Sequence, residues 1–517
     1  MIPVLGSRDM RSADRAAIRS GVSGITLMEN AAAALAADLL AAWPEARRVA
    51  VVCGPGNNGG DGLAAARLLA AEGISVSVFT LGPPDRYRGD AAENAERALA
   101  CGLKLSPLGE RGARRSLGEA LAASDVVLDA LFGTGLSRGL DGEAARAVAA
   151  INASGRPVIA ADLPSGLSAD EGRLLGPAVR AEATVAFAAG KPCHVLPPAR
   201  DLCGRVAVRA IGIAAEILER RRARLYIAEA SDVAAALPPR RADSHKGNYG
   251  RLAVVAGSRG KTGAAALAAR GALRAGAGLV TVFCPASVEQ AVVGALPETM
   301  TRGLPDRDGR LAPEAADALR EALADFDAAA VGPGLGVSAA VRSVLETLLR
   351  SPLPLVCDAD ALNTLTPEAF SRRRGETVLT PHPGEAARLL HSTTRAIQSD
   401  RLGAAKELAR RSKSVVVLKG SGSLISRPRT AVVVNPTGTP LMSTAGSGDV
   451  LTGALGALLA GGLEAFVAAM AAVYLHGAAG EFLAGTLGDA GLLASELADA
   501  LPRARRNLGV AASPGSA

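Results

Sequence analysis

The chain has 517 residues, of which 49% are apolar and 21% are charged. This length is too great for one ordinary core and predicts about two to four domains, while the composition excludes a disordered or fibrous protein. Aromatic residues make up only 3%, and the net charge of +7 is spread over short basic clusters that alternate with acids, so we expect no nucleic-acid surface.

The six cysteines are scattered and show neither a C-x-x-C pair nor metal-binding spacing, which predicts a reducing compartment. The first residues, MIPVLGSRDM, lack the charged and then apolar pattern of a signal peptide. The most membrane-like stretch, residues 450–463, has 14 residues, which is short for a membrane span. We therefore expect a cytoplasmic protein that enters no membrane.

The first half of the chain alternates strand-like and helix-like segments. In chain order we predict a helix at 31–43, a strand at 48–53, a helix at 61–71, a strand at 75–81, a helix at 91–100 and strands at 126–131, 157–161 and 206–208. Continuously apolar strands separated by helices are typical of a parallel sheet covered on both faces. The sequence predicts a Rossmann-like, doubly wound α/β domain over residues 1–222.

An arginine-rich segment at 219–224 and a proline-containing run at 237–245 predict a junction, after which the pattern restarts. In the second half we predict a strand at 251–256, a helix at 263–276 and strands at 279–283, 328–331, 355–358, 377–380 and 415–418. This pattern indicates a second α/β domain over residues 223–507, followed by a disordered tail at 508–517.

The segment GPGNNGGDG at residues 54–62 lies directly between a predicted strand and a predicted helix. It contains G-x-G-x-x-G, whose glycines let a backbone approach a pyrophosphate at a helix N-terminus. The acid that a dinucleotide site needs about twenty residues later has no good candidate, since Asp85 is late and lies in a proline-rich loop. Five glycines still exceed what a plain turn requires, so we interpret the segment as a ligand-binding loop.

Two further strand ends are similar: LDALFGTGLSRG at residues 128–139 and ADLPSG at residues 161–166. Ligands of doubly wound sheets bind outside the carboxyl ends of the strands, so three polar loops there predict one shared pocket. Asn58, Asp129 and Ser165 would offer this pocket hard oxygen ligands suited to a small cation. Each loop taken alone is also compatible with a helix cap or a turn.

Together with LMENA at residues 27–31, Gly190-Lys191 and Ile211-Gly212, these loops closely resemble the NAD(P)H-hydrate epimerase domain over residues 5–215. The usual LMENAG of that family ends here in Ala32. The resemblance implies interconversion of the R and S epimers of a hydrated nicotinamide, NADHX or NADPHX, with a bound potassium ion.

By family position, Asn58, Asp129 and Ser165 would hold the potassium ion. The residues that would line the substrate pocket are Asn57, Asn58, Gly59, Gly60, Asp61, Gly133, Thr134, Gly135, Leu136, Ser137, Arg138, Gly139 and Asp162. Because a carboxylate can take up and return a proton, we predict that Asp162 is the catalytic acid and base at the nicotinamide ring.

In the second half, GSRGKT at residues 257–262 is not a P-loop, because only two residues separate its glycines where that motif needs four. The stronger signal is Gly446-Ser447-Gly448-Asp449, immediately before an apolar helix. Small residues at a helix N-terminus expose backbone N–H groups to a developing phosphoryl charge, and Asp449 can act as a base toward a hydroxyl. This pairing resembles the anion hole and catalytic Asp of ribokinase-like kinases.

Further loops enter or follow the strands of this half: HKGNYG at 245–250, GPGLG at 332–336, DADALN at 358–363, TPHPGE at 380–385 and LKGSGS at 418–423. His382 is flanked by two prolines at a strand end, which favours a ligand-facing position over a structural one. Lys419 is one of only seven lysines, and its compact ammonium suits a phosphate contact; the alternative is an ordinary surface lysine.

As a set, with PETM at 297–300 and YLHG at 474–477, these loops resemble the ADP-dependent NAD(P)H-hydrate dehydratase, a ribokinase-like α/β enzyme, over residues 225–505. By family position, the hydrate would contact Ala264, Gly334, His382 and Asp449. The nucleotide would contact Lys419, Gly420, Ser421, Gly422, Ser423 and Gly448. This chain has Lys261 where the family often carries Met.

The resemblance implies a kinase-like mechanism. ADP would phosphorylate the ring hydroxyl of the S hydrate, while Asp449 takes the proton and Mg²⁺ helps to neutralise the phosphates. Phosphate would then leave, which restores the nicotinamide double bond and yields AMP. We expect small-molecule partners only and a homo-oligomer, and the sequence does not distinguish NADHX from NADPHX.

Two other readings stay open at the level of sequence. The first is a small-molecule kinase of the ribokinase class fused to a Rossmann-like ligand-binding domain, which would release a stable phosphorylated product. The second is a nucleotide-sensing or scaffolding protein with one inert domain. Intact Asp162 and Asp449 with complete flanking loops favour two working enzymes.

Overall fold

The computed structural model of the chain describes residues 1–221 and 223–509. These residues form two compact units. The N-terminal unit is Pro3–Leu225, and the C-terminal unit comprises Met1–Ile2 and the residues from Tyr226 onward. The predicted disordered tail at 508–517 lies outside the described residues from residue 510 onward.

The first part of the chain alternates strands and helices as its apolar pattern predicts. The strands are β1 (Ile2–Val4), β2 (Arg48–Cys53), β3 (Ser75–Thr80), β4 (Leu105–Pro107), β5 (Val126–Ala130), β6 (Val158–Ala161), β7 (Ala183–Phe187) and β8 (Arg205–Arg209). The helices are α1 (Ser7–Arg19), α2 (Gly24–Ala42), α3 (Asn57–Ala71), α4 (Asp90–Ala100), α5 (Ala113–Ala123), α6 (Gly142–Ala153) and α7 (Ala215–Glu219).

The sheet of the N-terminal unit is parallel and has the strand order β4-β3-β2-β5-β6-β7-β8. The chain moves outward from β2 to β4 and then returns to β5 on the other side of β2. The order therefore reverses between β2 and β5, whose last residues Cys53 and Ala130 are paired. In open α/β sheets, ligands bind in the crevice at such a reversal point.

The rest of the chain forms a second α/β layer structure. The strands are β9 (Leu225–Ile227), β10 (Arg251–Val255), β11 (Leu279–Pro285), β12 (Met300–Leu304), β13 (Asp306–Arg307), β14 (Arg310–Leu311), β15 (Ala328–Val331), β16 (Leu355–Cys357), β17 (Thr377–Leu379), β18 (Val415–Leu418), β19 (Leu424–Ser426) and β20 (Val432–Val434). The helices are α8 (Ala230–Ala236), α9 (Thr262–Ala275), α10 (Glu289–Ala295), α11 (Ala315–Ala322), α12 (Ala339–Arg350), α13 (Asp360–Thr364), α14 (Pro367–Ser371), α15 (Pro383–Leu389), α16 (Thr394–Ser399), α17 (Arg401–Ser412), α18 (Ser447–Ala460), α19 (Ala465–Leu487) and α20 (Ala494–Asn507).

The main sheet of the C-terminal unit runs in the order β9-β20-β19-β18-β17-β16-β15-β10-β11-β12. The strands from β18 to β12 in this order pair in parallel, whereas β18, β19 and β20 form antiparallel pairs. The strand order reverses between β10 and β15. The carboxyl ends of β10, β15, β16, β17 and β18 therefore share one edge, where the predicted loops that follow these strands lie. The predicted loop HKGNYG at 245–250 precedes β10 and lies at the opposite edge.

Within residues 1–221 and 223–509, two helices are long and apolar enough to cross a membrane by length and composition, namely α2 and α19. Both contribute buried residues to the core of their own unit, as Leu35 does from α2 and Ala472 from α19. A core helix passes the same test as a membrane span, because burial in protein also selects apolar residues.

The structure differs from the predicted elements in a few places. Helix α3 begins at Asn57, four residues before the predicted start, so much of the predicted loop at 54–62 is helical. Gly and Asn have low helix propensity, which made this segment look like a loop. The short strands β4, β7 and β12 were not predicted from the sequence, and β19 and β20 were not predicted as an antiparallel extension of the sheet.

Candidate active sites

A cleft of about 470 Å³ lies at the carboxyl ends of β2, β5 and β6 in the N-terminal unit. Of the predicted substrate residues, those that line the cleft are Asn57, Asn58, Asp61, Gly133, Thr134, Gly135, Leu136 and Asp162. The three loops singled out in the sequence thus meet at one cleft, because the carboxyl ends of neighbouring parallel strands lie at the same edge of the sheet.

Other predicted residues of these loops are not among those that line the cleft. Gly59 and Gly60 are buried in the first turn of α3: a Cβ at Gly59 would fall on the carbonyl oxygen of Gly54, and one at Gly60 would lie 2.7 Å from Met28 Sδ. These two glycines let α3 pack closely on its surroundings. Ser137, Arg138 and Gly139 follow the cleft-lining residues of the β5 loop and do not line the cleft themselves.

The carboxylate of Asp162 is held by the buried side chain of Lys191. The Lys191 ammonium forms an ion pair with Asp162 Oδ1 and donates to the backbone oxygen of Phe187 at 2.8 Å. Lys191 is 1% exposed, and the backbone N–H of Phe187 donates to Asp162 Oδ1 at 3.2 Å. Asp162 has φ of 64°, a left-handed conformation that Asp and Asn tolerate better than most residues. The backbone and Lys191 together fix the direction of this carboxylate.

Two more carboxyl groups that line the same cleft, Asp61 and Asp14, have raised pKa values. Burial raises the pKa of Asp61 well above its ordinary value, and the nearby charges of Asp162 and Asp14 raise it further. Burial and the charge of Asp162 likewise raise the pKa of Asp14, while Lys191 opposes this. Asp14 lies on α1 and was not predicted as a site residue, because no sequence feature distinguishes it from an ordinary acid on a helix surface. Lys191 was noticed only as part of a Gly-Lys pair.

Two of the three predicted cation ligands, Asp129 and Ser165, are hydrogen-bonded to each other near the end of β5, and the third, Asn58, lines the cleft. Asp129 is fully buried; its Oδ1 accepts from Ser165 Oγ at 2.7 Å and from the Leu131 N–H at 3.2 Å, and its Oδ2 accepts from the Ser165 N–H at 2.8 Å. Burial raises the pKa of Asp129 to about 6, against the effect of these hydrogen bonds. The amide Nδ2 of Asn58 is buried without a hydrogen-bond partner. A buried carboxylate whose hydrogen-bond partners are neutral fits a bound cation. The unpartnered Nδ2 of Asn58 is a donor, so Asn58 would have to bind a cation through its Oδ1.

In the C-terminal unit, Asp449 lies in the first turn of α18, which follows Gly446 in the left-handed conformation with φ of 88°. Burial and the charges of Asp358 and Asp360 raise the pKa of Asp449 to about 7, although Lys419 lowers it. The neighbouring Gly448 also lies close to Lys419, since a Cβ at this glycine would be 3.4 Å from Lys419 Nζ. A carboxyl with a pKa near neutrality is suited to general base catalysis.

The half-buried Lys419 and the buried Asp358 form an ion pair at the ends of β18 and β16. Lys419 Nζ donates to Asp358 Oδ1 at 2.7 Å, and Thr452 Oγ1 donates to Asp358 Oδ2 at 2.7 Å. Although burial opposes it, the charges of Asp358, Glu385 and Asp449 raise the pKa of Lys419, which keeps the ammonium charged. Asp358 and Thr452 were missed as site residues, although Asp358 directly follows a buried strand.

His382 caps helix α15. Its Nδ1 accepts from the N–H of Gly384 at 3.0 Å, and Glu385 Oε2 accepts in return from the His382 N–H at 2.8 Å. The imidazole is 57% exposed and also lies 3.5 Å from Glu385 through Nε2. His382 can therefore cap α15 through Nδ1 and still offer the exposed side of its imidazole to a ligand.

Gly334 and Ala264 lie side by side at the reversal point between β10 and β15. Gly334 has φ of 66°, and a Cβ there would lie 2.8 Å from the carbonyl oxygen of Lys261 and 3.1 Å from the Cβ of Ala264. Lys261, where the family often has Met, forms an ion pair with Asp360 at 3.4 Å. A separate cavity of about 310 Å³, lined in part by Arg240, contains none of the predicted site residues.

The segment Lys419 to Ser423 connects β18 to β19. Gly420 and Gly422 have φ of 133° and 59°, values that favour glycine, so the backbone turns tightly between the two strands. The Lys419 N–H donates to the carbonyl oxygen of Pro381 at 2.9 Å, which ties this loop to the strand end that precedes His382. Predicted hydrate and nucleotide residues therefore meet at one edge of the sheet.

Within residues 1–221 and 223–509, no group of three or more His, Cys, Asp or Glu side chains is arranged to hold a metal ion. The set of Asn58, Asp129 and Ser165 offers one carboxylate and neutral oxygen atoms, which are hard ligands suited to a small cation. Mg²⁺ commonly binds through one or two carboxylates together with substrate phosphates and water, which Asp449 and its acidic neighbours fit.

Comparison with known proteins agrees with both halves of this description. Residues 24–193 match the family model of the YjeF-related protein N-terminus, and residues 252–503 match that of NAD(P)H-hydrate dehydratase. The chain is 43% identical over 467 residues to the bifunctional NAD(P)H-hydrate repair enzyme Nnr of Moorella thermoacetica, covering 89% of this chain and 88% of that protein. It is 36% identical over 444 residues to the enzyme of the same name from Escherichia coli, covering 85% and 82%.

Among solved structures, the crystal structure of the ADP/ATP-dependent NAD(P)H-hydrate dehydratase from Bacillus subtilis, co-crystallised with ATP/Mg²⁺, superposes with a TM-score of 0.50 at 35% identity. The match covers 55% of this chain and 98% of that one. These similarities confirm the predicted resemblance and the predicted fold class, a Rossmann-like domain followed by a ribokinase-like domain. The chain belongs to the family of bifunctional NAD(P)H-hydrate repair enzymes.

Proposed function

We propose that the chain repairs hydrated NADH and NADPH with two separate active sites. The domain over residues 1–222 interconverts the R and S epimers, and the domain over residues 223–507 dehydrates the S epimer with ADP. One observation carries each assignment. In the first it is the cleft that gathers Asp61, Asp162 and Lys191, and in the second it is Asp449 at the start of α18 beside the Lys419–Asp358 pair.

In the epimerase site, Asp162 acts as the general acid and base at the ring carbon that carries the hydroxyl. The ion pair with Lys191 and the hydrogen bond from Phe187 hold its carboxylate in the cleft, which supports this role. Asn57, Asn58, Asp61 and the loop Gly133 to Gly139 bind the substrate. Gly59 and Gly60 contribute through the packing of α3. Ser137 to Gly139 would reach only a part of the substrate that lies outside the cleft.

Asn58, Asp129 and Ser165 hold the potassium ion. A potassium ion at this place would supply positive charge to the buried Asp129 carboxylate and help to orient an anionic or polar part of the substrate. The supporting observation is that the hydrogen-bond partners of Asp129 are Ser165 and the backbone N–H of Leu131, all neutral donors.

In the dehydratase site, Asp449 accepts the proton of the ring hydroxyl as the hydroxyl oxygen bonds to the β-phosphorus of ADP, and the bond from that phosphorus to AMP breaks. Phosphate then leaves with the electrons of its C–O bond, and the adjacent carbon loses a proton to form the double bond. Ala264, Gly334 and His382 contact the hydrate. Mg²⁺ bound with the nucleotide would neutralise phosphate charge while Lys419 to Ser423 and Gly448 bind the phosphates.

The protein is proposed to be cytoplasmic. This is supported by the six cysteines, all of which are free. A homo-oligomeric state stays a prediction.

The test is to incubate the protein with both epimers of hydrated NADH, ADP, Mg²⁺ and K⁺, and to follow the absorbance of reduced nicotinamide. Full recovery of NADH with equal release of AMP and phosphate is expected. Replacing K⁺ with a bulky organic cation should stop recovery at the share of the S epimer. A stable phosphorylated product without NADH would support the small-molecule kinase instead.

Two variants divide the activities. Asp162→Asn should abolish epimerisation and leave substrate binding intact, because Asn tolerates the left-handed backbone of this position. Asp449→Ala should abolish dehydration and leave epimerisation unchanged. If either variant lost both activities while still folded, as judged by circular dichroism, the assignment of one reaction to each unit would be wrong.

A further inference from the structure

Arg401 is a buried arginine directly beneath the loop Lys419 to Ser423. It is 4% exposed, and its guanidinium donates to the carbonyl oxygens of Leu418 and Lys419 at 3.3 Å and of Gly422 at 3.5 Å. Its Nη1 also donates to Gln398 Oε1 at 3.0 Å. One planar side chain thus ties together both ends of the loop.

The charge of Arg401 is not neutralised by an acid. Among residues 1–221 and 223–509, no carboxylate forms an ion pair with it, and its Nε has no hydrogen-bond partner. Burial alone lowers its pKa to about 10, so the group stays cationic at neutral pH. It is also the first residue of α17, where the helix dipole disfavours a cation. The fold therefore retains a buried positive charge at an unfavourable place.

The loop is shaped around this guanidinium. Gly420 turns over it with φ of 133°, and a Cβ at Gly420 would lie 2.8 Å from Arg401 Nη1. The carbonyl oxygens of Lys419 and Gly422 point inward to the guanidinium. Because carbonyl and N–H groups of a tight turn point in different directions, we expect the N–H groups of Gly420 to Ser423 to face the proposed nucleotide, while the Lys419 N–H donates to Pro381.

We propose that Arg401 is a positioning residue for ADP in the dehydration reaction. It holds the carbonyl groups of Lys419 to Ser423 inward, which presents the loop backbone to the phosphates, and it places an unneutralised positive charge behind the loop. This inference rests on the proposed role of that loop in nucleotide binding.

The experiment compares Arg401→Lys with Arg373→Lys in the full-length protein. Arg373 is the control, since it is a half-buried arginine that, like Arg401, donates to backbone oxygens. Its acceptors are Ser351, Leu353 and Glu376, at the opposite ends of strands β16 and β17. Lysine keeps the charge but cannot reproduce the planar fork. We expect Arg401→Lys to raise the KM for ADP about tenfold with kcat changed less than about twofold.

Epimerisation by the N-terminal unit is measured on the same sample of each variant as a control, because it should be unchanged. Arg373→Lys should lower the melting temperature and leave the KM for ADP as it is. Gln398→Ala removes only the exposed acceptor of Arg401 and should fold normally, with a smaller rise in the same KM of about twofold. This second variant keeps the inference testable if Arg401→Lys fails to fold.

The outcomes separate the inference from the function on which it rests. If Lys419→Ala raises the KM for ADP but Arg401→Lys and Gln398→Ala do not, the role of Arg401 is wrong and the nucleotide site stands. If Lys419→Ala leaves the KM for ADP unchanged, the proposed nucleotide site itself is wrong. Equal loss of kcat in Arg401→Lys and Arg373→Lys, with no change in KM, would mean that both arginines only stabilise the fold.

Discussion

Asp449 is the residue whose environment most directly sets a measurable property of the enzyme. It lies beside the buried Asp358 and at the start of α18, and burial raises its pKa to about 7. A base must be ionised to accept the hydroxyl proton, so the fraction of active enzyme decreases as the pH falls below this pKa. Lys419 limits the shift, because its positive charge favours the ionised carboxylate.

We therefore expect kcat/KM for dehydration to fall about tenfold for each pH unit below pH 7 and to level off above about pH 8. The measurement is a pH profile between pH 5.5 and 9 with the S epimer and saturating ADP and Mg²⁺. Thermal melts at each pH serve as the control for unfolding. A rate that stays constant down to pH 5.5 would contradict the role of Asp449 as the base.

At the scale of elements, the pairing of α9 with α18 places the start of α18 at the dehydratase site. Two glycines allow it: a Cβ at Gly453 would fall on the carbonyl oxygen of Ala268, and a Cβ at Gly271 would fall on that of Val450. The two helices thus approach backbone to backbone, and Gly446 to Asp449 is held where α9 begins. Helix propensity alone would favour alanine at both positions.

Gly453→Ala is expected to destabilise the C-terminal unit by about 2 kcal/mol, because the added methyl group must push α18 away from α9. Gly485→Ala in α19 is the matched control, since a Cβ there meets nothing within 4 Å, and it should leave stability unchanged or raise it slightly. Urea unfolding followed by circular dichroism measures both. Similar unfolding midpoints for the two variants would show that the close approach of the helices is unimportant.

Packing between elements also explains why the helix boundaries were predicted less well than the strands. The run from Asn57 to Gly62 has weak helix propensity and looks like a loop, yet it forms the first turn of α3. The turn is possible because Gly59 and Gly60 fit against Gly54 and Met28. Tertiary packing thus overrides local propensity at this helix, whereas continuous apolar strands such as β15 were predicted at the observed residues.

At the scale of the whole molecule, the two sets of active-site residues belong to separate compact units. Each proposed site is complete within one unit: the cleft with Asp162 and Lys191 lies in the first, and Asp449 with Lys419 lies in the second. We therefore expect that the substrate can pass between them through solution.

A mixture of the Asp162→Asn and Asp449→Asn proteins should convert both epimers fully to NADH, because each protein supplies the activity that the other lacks. Asp162→Asn alone should stop at the share of the S epimer, apart from the spontaneous epimerisation measured without protein, and Asp449→Asn alone should give no NADH. The yields are measured by absorbance and by chromatography of the two epimers. A mixture that yields no more than Asp162→Asn alone would mean that both sites must be on one chain.

The sequence by itself determined the two α/β domains, the loops that follow the strands and the family, because these depend on local periodicity and on short motifs such as those that contain Asp162 and Asp449. Only the tertiary structure gave a role at the sites to Asp14, Lys191, Asp358, Thr452 and Arg401. These residues act through contacts with positions that are distant in the chain, as when Thr452 donates to Asp358 across 94 residues. No local sequence pattern encodes such a contact. It forms because parallel strands bring their carboxyl ends to one edge of the sheet, and because close helix packing fixes which side chains lie beside those ends.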